Sequence, residues 1–319
     1  MRLSKRVLRN LDADRVRRIN EIYHNLENTG YDAQHEDIPR FEASFWKEAA
    51  RKYLRGAGPV VWLDYGTGTG FVPSIVGESM RAEDCFICCD VSSEMLKACE
   101  AKLRGLPCRC SFEKIGGQTI PAANGSVDII SVNSVLHHLF DLHAFAAECE
   151  RVLKPSGLLI VAHEPNGNTS LPLSGRILRS LARVMFRPKT VLFAMADISP
   201  LAERLMRAVT SRVSGRYRRR NKMLSEIARQ IRKEGLLDFN LRGTEIQQIV
   251  DFQSQHGFDP GELFGRIFSR FEVLESQTYG HLGFYPEGRG PQAADRYLKT
   301  RWPEAGKEIC FVLQRARKE

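Results

Sequence analysis

Apolar positions along this chain change period twice, and the changes mark out its elements. Over residues 1–56 they are spaced among charges: Val16, Ile19, Ile22 and Tyr23 recur at helical intervals, and FEASFWKEAARKYL repeats the pattern. Both segments predict amphipathic helices. From 57 to 164 the pattern becomes short, nearly continuous apolar runs, namely PVVWLDY, CFICCD, CRCSFEK, VDIISVN and GLLIVAHE. Runs of that length without polar alternation are expected of parallel strands covered on both faces. Helical stretches at 93–104 and 142–153 lie between them, so βαβ units follow. Residues 165–258 return to amphipathic helices, with Thr244 as the expected N-cap before EIQQIVDF. Residues 259–319 end in two further strands, FEVLESQTY and EICFVLQ. The expected fold is α/β: a doubly wound, Rossmann-like, mostly parallel seven-stranded sheet, with N-terminal helices and a helical insertion after strand five.

A glycine-rich turn closes the first strand, in Leu63-Asp64-Tyr65-Gly66-Thr67-Gly68-Thr69-Gly70. Glycines there let the chain turn tightly and bring a ligand close to backbone at the start of the next helix. A nicotinamide dehydrogenase would carry G-x-G-x-x-G. Here the third glycine of that pattern falls on Phe71, and the run is instead G-x-G-x-G with an acid two residues ahead.

With this loop the segment from about 59 to 164 resembles the class I S-adenosylmethionine-dependent methyltransferases. The resemblance implies roles for individual residues. Asp64 would help hold the methionine ammonium, and Gly66, Thr67, Gly68 and Gly70 would shape the loop under the cofactor. Asp90, which ends CFICCD, would take both ribose hydroxyls, two acceptor oxygens suiting a vicinal diol. Val91 and Met95 would lie near the adenine. VDIISVNSVLHHLFD matches the strand-four motif, placing Asn133 and Ser134 by the sulfonium. LKPSGLLIVAHEPN matches the turn into strand five, with Ser156 replacing a glycine. Tyr31 (with Asp32) and Tyr23 would belong to a lid over the cofactor. One landmark departs from the pattern. The acid after strand three that accepts the adenine amine falls at Gly116, so Gly117, Gln118 or backbone groups are left for that contact.

Methyl transfer from a sulfonium needs alignment of acceptor and methyl and exclusion of water. A hydroxyl acceptor also needs its proton removed. His138 after strand four and His163 at the end of strand five are the candidate catalytic residues, with His137 and Glu164 beside them. Both positions lie at carboxyl ends of strands, where such sheets bind ligands. His281, Phe284 and Tyr285 are further candidates for an acceptor pocket. The expected activity is transfer of a methyl group to a small-molecule acceptor, oxygen ahead of nitrogen or carbon. The alternative is a cofactor-binding regulatory or partner subunit without catalysis; the intact loop and Asp90 favour the enzyme.

Charge adds one feature. The chain has 47 Lys and Arg against 38 Asp and Glu. Between Arg176 and Lys222, 13 bases face two acids, so one segment carries the whole excess. Arg176, Arg179, Arg183 and Arg187 recur on one helix face. The expectation is a solvated lid face, or a surface for an acidic carrier protein or anionic lipid. RNA ranks last, because few aromatic platforms lie among the bases. No run of about 18 apolar residues is present, so no transmembrane segment is expected. The N-terminus lacks the apolar core of a secretory signal. Eight cysteines occur, mostly in apolar stretches, and Cys85 and Cys88 would point to opposite faces of one strand. Reduced core cysteines and a cytoplasmic protein are expected, with no metal site.

Overall fold

The computed structural model describes residues 3–27, 37–54, 58–116, 119–186, 215–253, 257–284 and 286–316. Strands β1 (Val61–Tyr65), β2 (Cys85–Asp90), β3 (Arg109–Lys114), β4 (Val127–Asn133), β5 (Leu153–Pro165), β6 (Phe271–Tyr279) and β7 (Glu308–Arg315) form one sheet. Its order is β3-β2-β1-β4-β5-β7-β6. The first five strands are parallel, and β7 pairs antiparallel with both β5 and β6. The order reverses between β1 and β4, and the glycine loop leaves β1 at that switch point.

Each central strand is buried on both faces, as its unbroken apolar run predicts. On one face Leu63, Ile130 and Phe145 pack with Phe311. On the other, Trp62 and Phe86 pack with Trp46 of helix α3 (Asp37–Tyr53). All eight cysteines are unpaired, and six of them are buried in the core.

The N-terminal helices α1 (Lys5–Arg9) and α2 (Ala13–Glu27) belong to a separate apolar cluster. There Val16, Ile19 and Ile22 of α2 meet Ile227 and Ile231 of α8 (Gly215–Lys233) and Ile246 and Ile249 of α9 (Gly243–Val250). Short helices α4 (Phe71–Val76), α5 (Ser93–Leu103) and α6 (Leu142–Val152) complete the crossovers. Helix α9 begins two residues earlier than expected, with Arg242 and not Thr244 as its N-cap. The reason is Glu245, whose carboxylate reaches back to accept from the Arg242 amide at 2.9 Å.

Helix α7 (Leu173–Phe186) follows the expected arrangement of its faces only in part: Arg176 is exposed, but Arg179 and Arg183 are half-buried. Its small residues Gly175 and Ala182 pack inward, Gly175 against the Trp302 indole beside helix α10 (Arg289–Arg301). Arg183, assigned above to a solvated cationic face, donates through Nε to the Leu282 carbonyl at 2.6 Å. Leu173, Ile177, Leu181 and Met185 are left exposed. Arg187 lies outside the described residues. No helix among those described is long and apolar enough to cross a membrane.

Candidate functional site

The site forms where the carboxyl ends of β1, β2 and β4 meet α2. Three glycines make the loop possible. Gly66, Gly68 and Gly70 all adopt left-handed backbone, with φ of 74°, 52° and 84°. A side chain at Gly66 would strike Val135, and one at Gly70 would strike Cys99. Around Gly68 there is open space where a Cβ would stand. That is the position at which a ligand can lie directly on the backbone. The Gly66 and Thr67 amides both donate to the Cys89 carbonyl at 2.8 Å, fixing the loop to the end of β2.

Asp90 ends β2 beside this loop. Its carboxylate accepts from the Gly68 amide through one oxygen and from the Ser92 amide through the other, both at 2.8 Å. Burial pushes its pKa above the usual carboxylate range, despite those two amides. Asp64 sits deeper, 2% exposed. It accepts from the Ser131 hydroxyl at 2.5 Å, and that hydroxyl in turn receives the Trp62 indole N–H at 2.9 Å. Burial pushes the Asp64 carboxyl up to about 7, against hydrogen bonds from Ser131 and Thr67.

A cavity of about 240 Å³ opens over the loop. Gly66, Gly68, Asp90, Val91, Met95, Asn133, Ser134 and His138 border it on the sheet side, and α2 closes it from above. Eight of the positions read from the sequence thus border one concavity, and Asp64, Thr67, Gly70 and His163 do not. Tyr31, Gly117 and Gln118 lie outside the described residues. Tyr23 is buried against α9, its hydroxyl 3.3 Å from Gln247 Oε1.

The histidines divide into two kinds. His138 borders the cavity, and its Nδ1 lies 2.8 Å from the Val250 carbonyl, which fixes the ring. Burial holds its pKa well below the usual imidazole value, with His137 and His24 adding repulsion. His137 and Glu164 are bonded to each other at the end of β4. The Glu164 carboxylate, fully buried, accepts from the Val135 and Leu136 amides at 2.7 Å and contacts His137 Nδ1 at 2.8 Å. His137, His138 and Asp251 offer atoms within 4.8 Å of one another. The Nδ1 atoms of the two histidines are already bonded to Glu164 and the Val250 carbonyl.

His163 occupies a register shift between β5 and β7, with φ of 58°. Such bulges redirect a side chain, and left-handed backbone at a non-glycine residue is costly. The ring points to α3, where its Nδ1 meets the carboxylate of Glu42, and the Tyr279 hydroxyl donates to the same oxygen at 2.7 Å. Burial opposes charge on this ring, but the Glu42 carboxylate outweighs it and raises the His163 pKa. The other Glu42 oxygen is buried with no hydrogen bond. Trp46, one turn along α3, donates to Asn133 Oδ1 at 3.1 Å, tying this group to the end of β4. Glu42 was not legible in the sequence, because only the fold brings it across 121 positions to His163. His281, expected near an acceptor, is 2% exposed and packs against Thr278 and the Pro303 carbonyl.

Residues 63–161 match the family described as a methyltransferase domain. The chain carries a class I S-adenosylmethionine-dependent methyltransferase domain. S-adenosylmethionine is the cofactor of that domain, and the open space over Gly68 beside a buried diol-sized acceptor, Asp90, fits it.

Curated relatives match this methyltransferase domain at low identity. The ubiquinone/menaquinone biosynthesis C-methyltransferase UbiE of Shewanella frigidimarina is 24% identical over 143 residues, covering 44% of this chain and 57% of its own. Chondramide synthase of Chondromyces crocatus is 29% identical over 132 residues, covering 40% of this chain and 3% of its own. The chain therefore spans little more than half of the one and a small fraction of the other. Among solved structures, a SAM-dependent methyltransferase from Aquifex aeolicus is 24% identical with a TM-score of 0.33, covering 42% of this chain and 80% of that one. One from Thermotoga maritima is 13% identical with a TM-score of 0.44, covering 92% and 99%.

Proposed function

We propose that this protein transfers the methyl group of S-adenosylmethionine to a hydroxyl of a small-molecule acceptor, with His163 as the base. The bound cofactor supplies an activated methyl carbon on its sulfonium. The protein supplies alignment, a closed site and a place for the acceptor's proton. Asn133 and Ser134 at the end of β4 and His163 at the end of β5 lie on neighbouring strands, since Asn133 pairs with Ala162. Glu42 holds Nδ1 of His163, which directs Nε2 away as the proton acceptor. Glu42 is thus a positioning residue: its charge sets both the ring's orientation and its proton affinity. His138 borders the cavity with Nδ1 held by the Val250 carbonyl, and it is the second candidate base. The observation that carries the proposal is the part-buried Glu42–His163–Tyr279 group beside the strand ends that form the cofactor site.

The unpaired core cysteines support a cytoplasmic setting. An acidic carrier or anionic lipid at 176–222 is supported by charge alone, and residues 187–214 of that segment lie outside those described.

The test is a screen of metabolite extract with methyl-labelled cofactor, followed by His163→Ala, Glu42→Gln and His138→Ala on the acceptor found. An oxygen-methylated product, with turnover lost in His163→Ala while cofactor affinity is kept, is the expected result. Full turnover in His163→Ala would remove it from the reaction. A cofactor-binding protein that methylates nothing in the screen would favour the regulatory-subunit alternative.

A further inference from the structure

The adenine end of the cofactor site lacks the acid expected after β3, because Gly116 stands there. The wall opposite is helix α2. It crosses the ends of β2 and β3 through two polar contacts: the Ser92 hydroxyl donates to Asn25 Oδ1 at 2.7 Å, and Lys114 Nζ donates to Glu21 at 2.7 Å. Arg17, Asn20 and His24 recur at three and four residues on one face of this helix, and all three border the cavity that Asp90, Met95 and Ile115 also border.

Two buried atoms on that face make no hydrogen bond. Asn20 is 5% exposed, and its Nδ2 donates to the Val16 carbonyl at 3.0 Å. That bond fixes which way the amide faces, and it leaves Oδ1 accepting nothing. Arg17 Nε is likewise buried without a hydrogen bond; Asp14 Oδ1 stands 3.9 Å from it, beyond hydrogen-bond reach, and Nη1 lies 3.6 Å from Glu21. Nearly all buried polar atoms in proteins are paired, and an unpaired one is costly. Two of them three residues apart, beside one cavity, form an acceptor next to a donor. The complementary ligand edge carries an N–H next to a ring nitrogen lone pair.

We infer that α2 reads the adenine of S-adenosylmethionine: Asn20 Oδ1 accepts from the exocyclic amine, and Arg17 Nε donates to the adjacent ring nitrogen. The inference rests on the cofactor reading above. The position agrees with it, since Asp90 places the ribose and Met95 and Ile115 border the cavity toward β3. It also replaces the expectation that Gln118 or backbone alone serves the base. A lid helix, and not the sheet, then sets nucleoside specificity. Removing α2 would cost base recognition together with closure.

The test compares S-adenosylhomocysteine with S-inosylhomocysteine, in which a carbonyl and a ring N–H reverse both partners. Calorimetric titration of wild-type protein should favour the adenosyl compound by about tenfold to a hundredfold. Asn20→Leu should weaken S-adenosylhomocysteine about five- to tenfold and leave the inosyl compound nearly unchanged, so that the ratio collapses. Arg17→Met should move the ratio in the same direction and serves if Asn20→Leu does not fold. Asp90→Ala, which faces the ribose, should weaken both compounds alike and keep the ratio. A folded Asn20→Leu or Arg17→Met protein with the wild-type ratio overturns the inference while leaving the cofactor site intact. Wild-type protein that binds neither compound overturns both.

Discussion

Replacing Asp64 by Asn should stabilise the ligand-free protein at alkaline pH and change little in acid. Asp64 is 2% exposed under the glycine loop, and burial raises its pKa from the ordinary 3.8 to about 7. Between those two values the native state binds a proton that the unfolded chain does not. Wild-type stability therefore falls as pH rises through that window and levels off above about 7. A tenfold change in proton affinity is worth about 1.4 kcal/mol, so the ionised carboxyl costs on the order of 2–4 kcal/mol at pH 8. Asn removes that cost and keeps the shape. Its carbonyl can take the Ser131 hydroxyl bonded at 2.5 Å in the wild type, and its amide can face Thr67. For a domain of this size the gain corresponds to roughly 4–10 °C in Tm. Thermal unfolding of both proteins between pH 4 and 8 is the assay. The gap should be widest at pH 8, shrink through pH 6 and vanish near pH 4. Equal melting at pH 8, or a gap that widens as pH falls, would refute the buried-carboxyl account.

Asp90→Ala should weaken S-adenosylhomocysteine by about 1.5–3 kcal/mol by calorimetry, and unchanged affinity in a folded variant would remove Asp90 from the site. Gly68→Val should lose detectable binding while keeping the native circular dichroism spectrum, because the side chain fills the open space over the loop; tight binding would mean this glycine serves the turn alone. In Glu42→Gln the carboxylate that raises the His163 pKa is gone, so burial dominates and that pKa drops. The acid limb of kcat/KM should then move to lower pH while kcat falls about tenfold or more; a profile with an unmoved limb would deny Glu42 its positioning role.

What the sequence disclosed was whatever local pattern encodes. The strand runs from Val61 to Glu164 were readable because burial on both faces leaves no polar alternation, and the loop was readable because left-handed backbone at 66, 68 and 70 demands glycine. Asp90 followed from its place at the end of a strand. Long-range partners were not readable. Glu42 lies on a helix whose spacing fits any amphipathic surface, and its partners His163 and Tyr279 come from strands far along the chain. The arginine spacing in α7 suggested a solvated face, but the Leu282 carbonyl that takes Arg183 and the Trp302 ring beside Gly175 decide which side packs. Asn20 looks like one more polar residue in a charged helix until its unpaired oxygen is placed at the cavity wall.

The central claim is that the concavity over Gly68 and Asp90 binds S-adenosylmethionine. Titration of the purified protein with S-adenosylhomocysteine in a calorimeter tests it most directly. One molecule should bind per chain with a dissociation constant in the micromolar range, a free energy of about −8 kcal/mol. Absence of heat and of any rise in Tm at millimolar ligand would contradict the account.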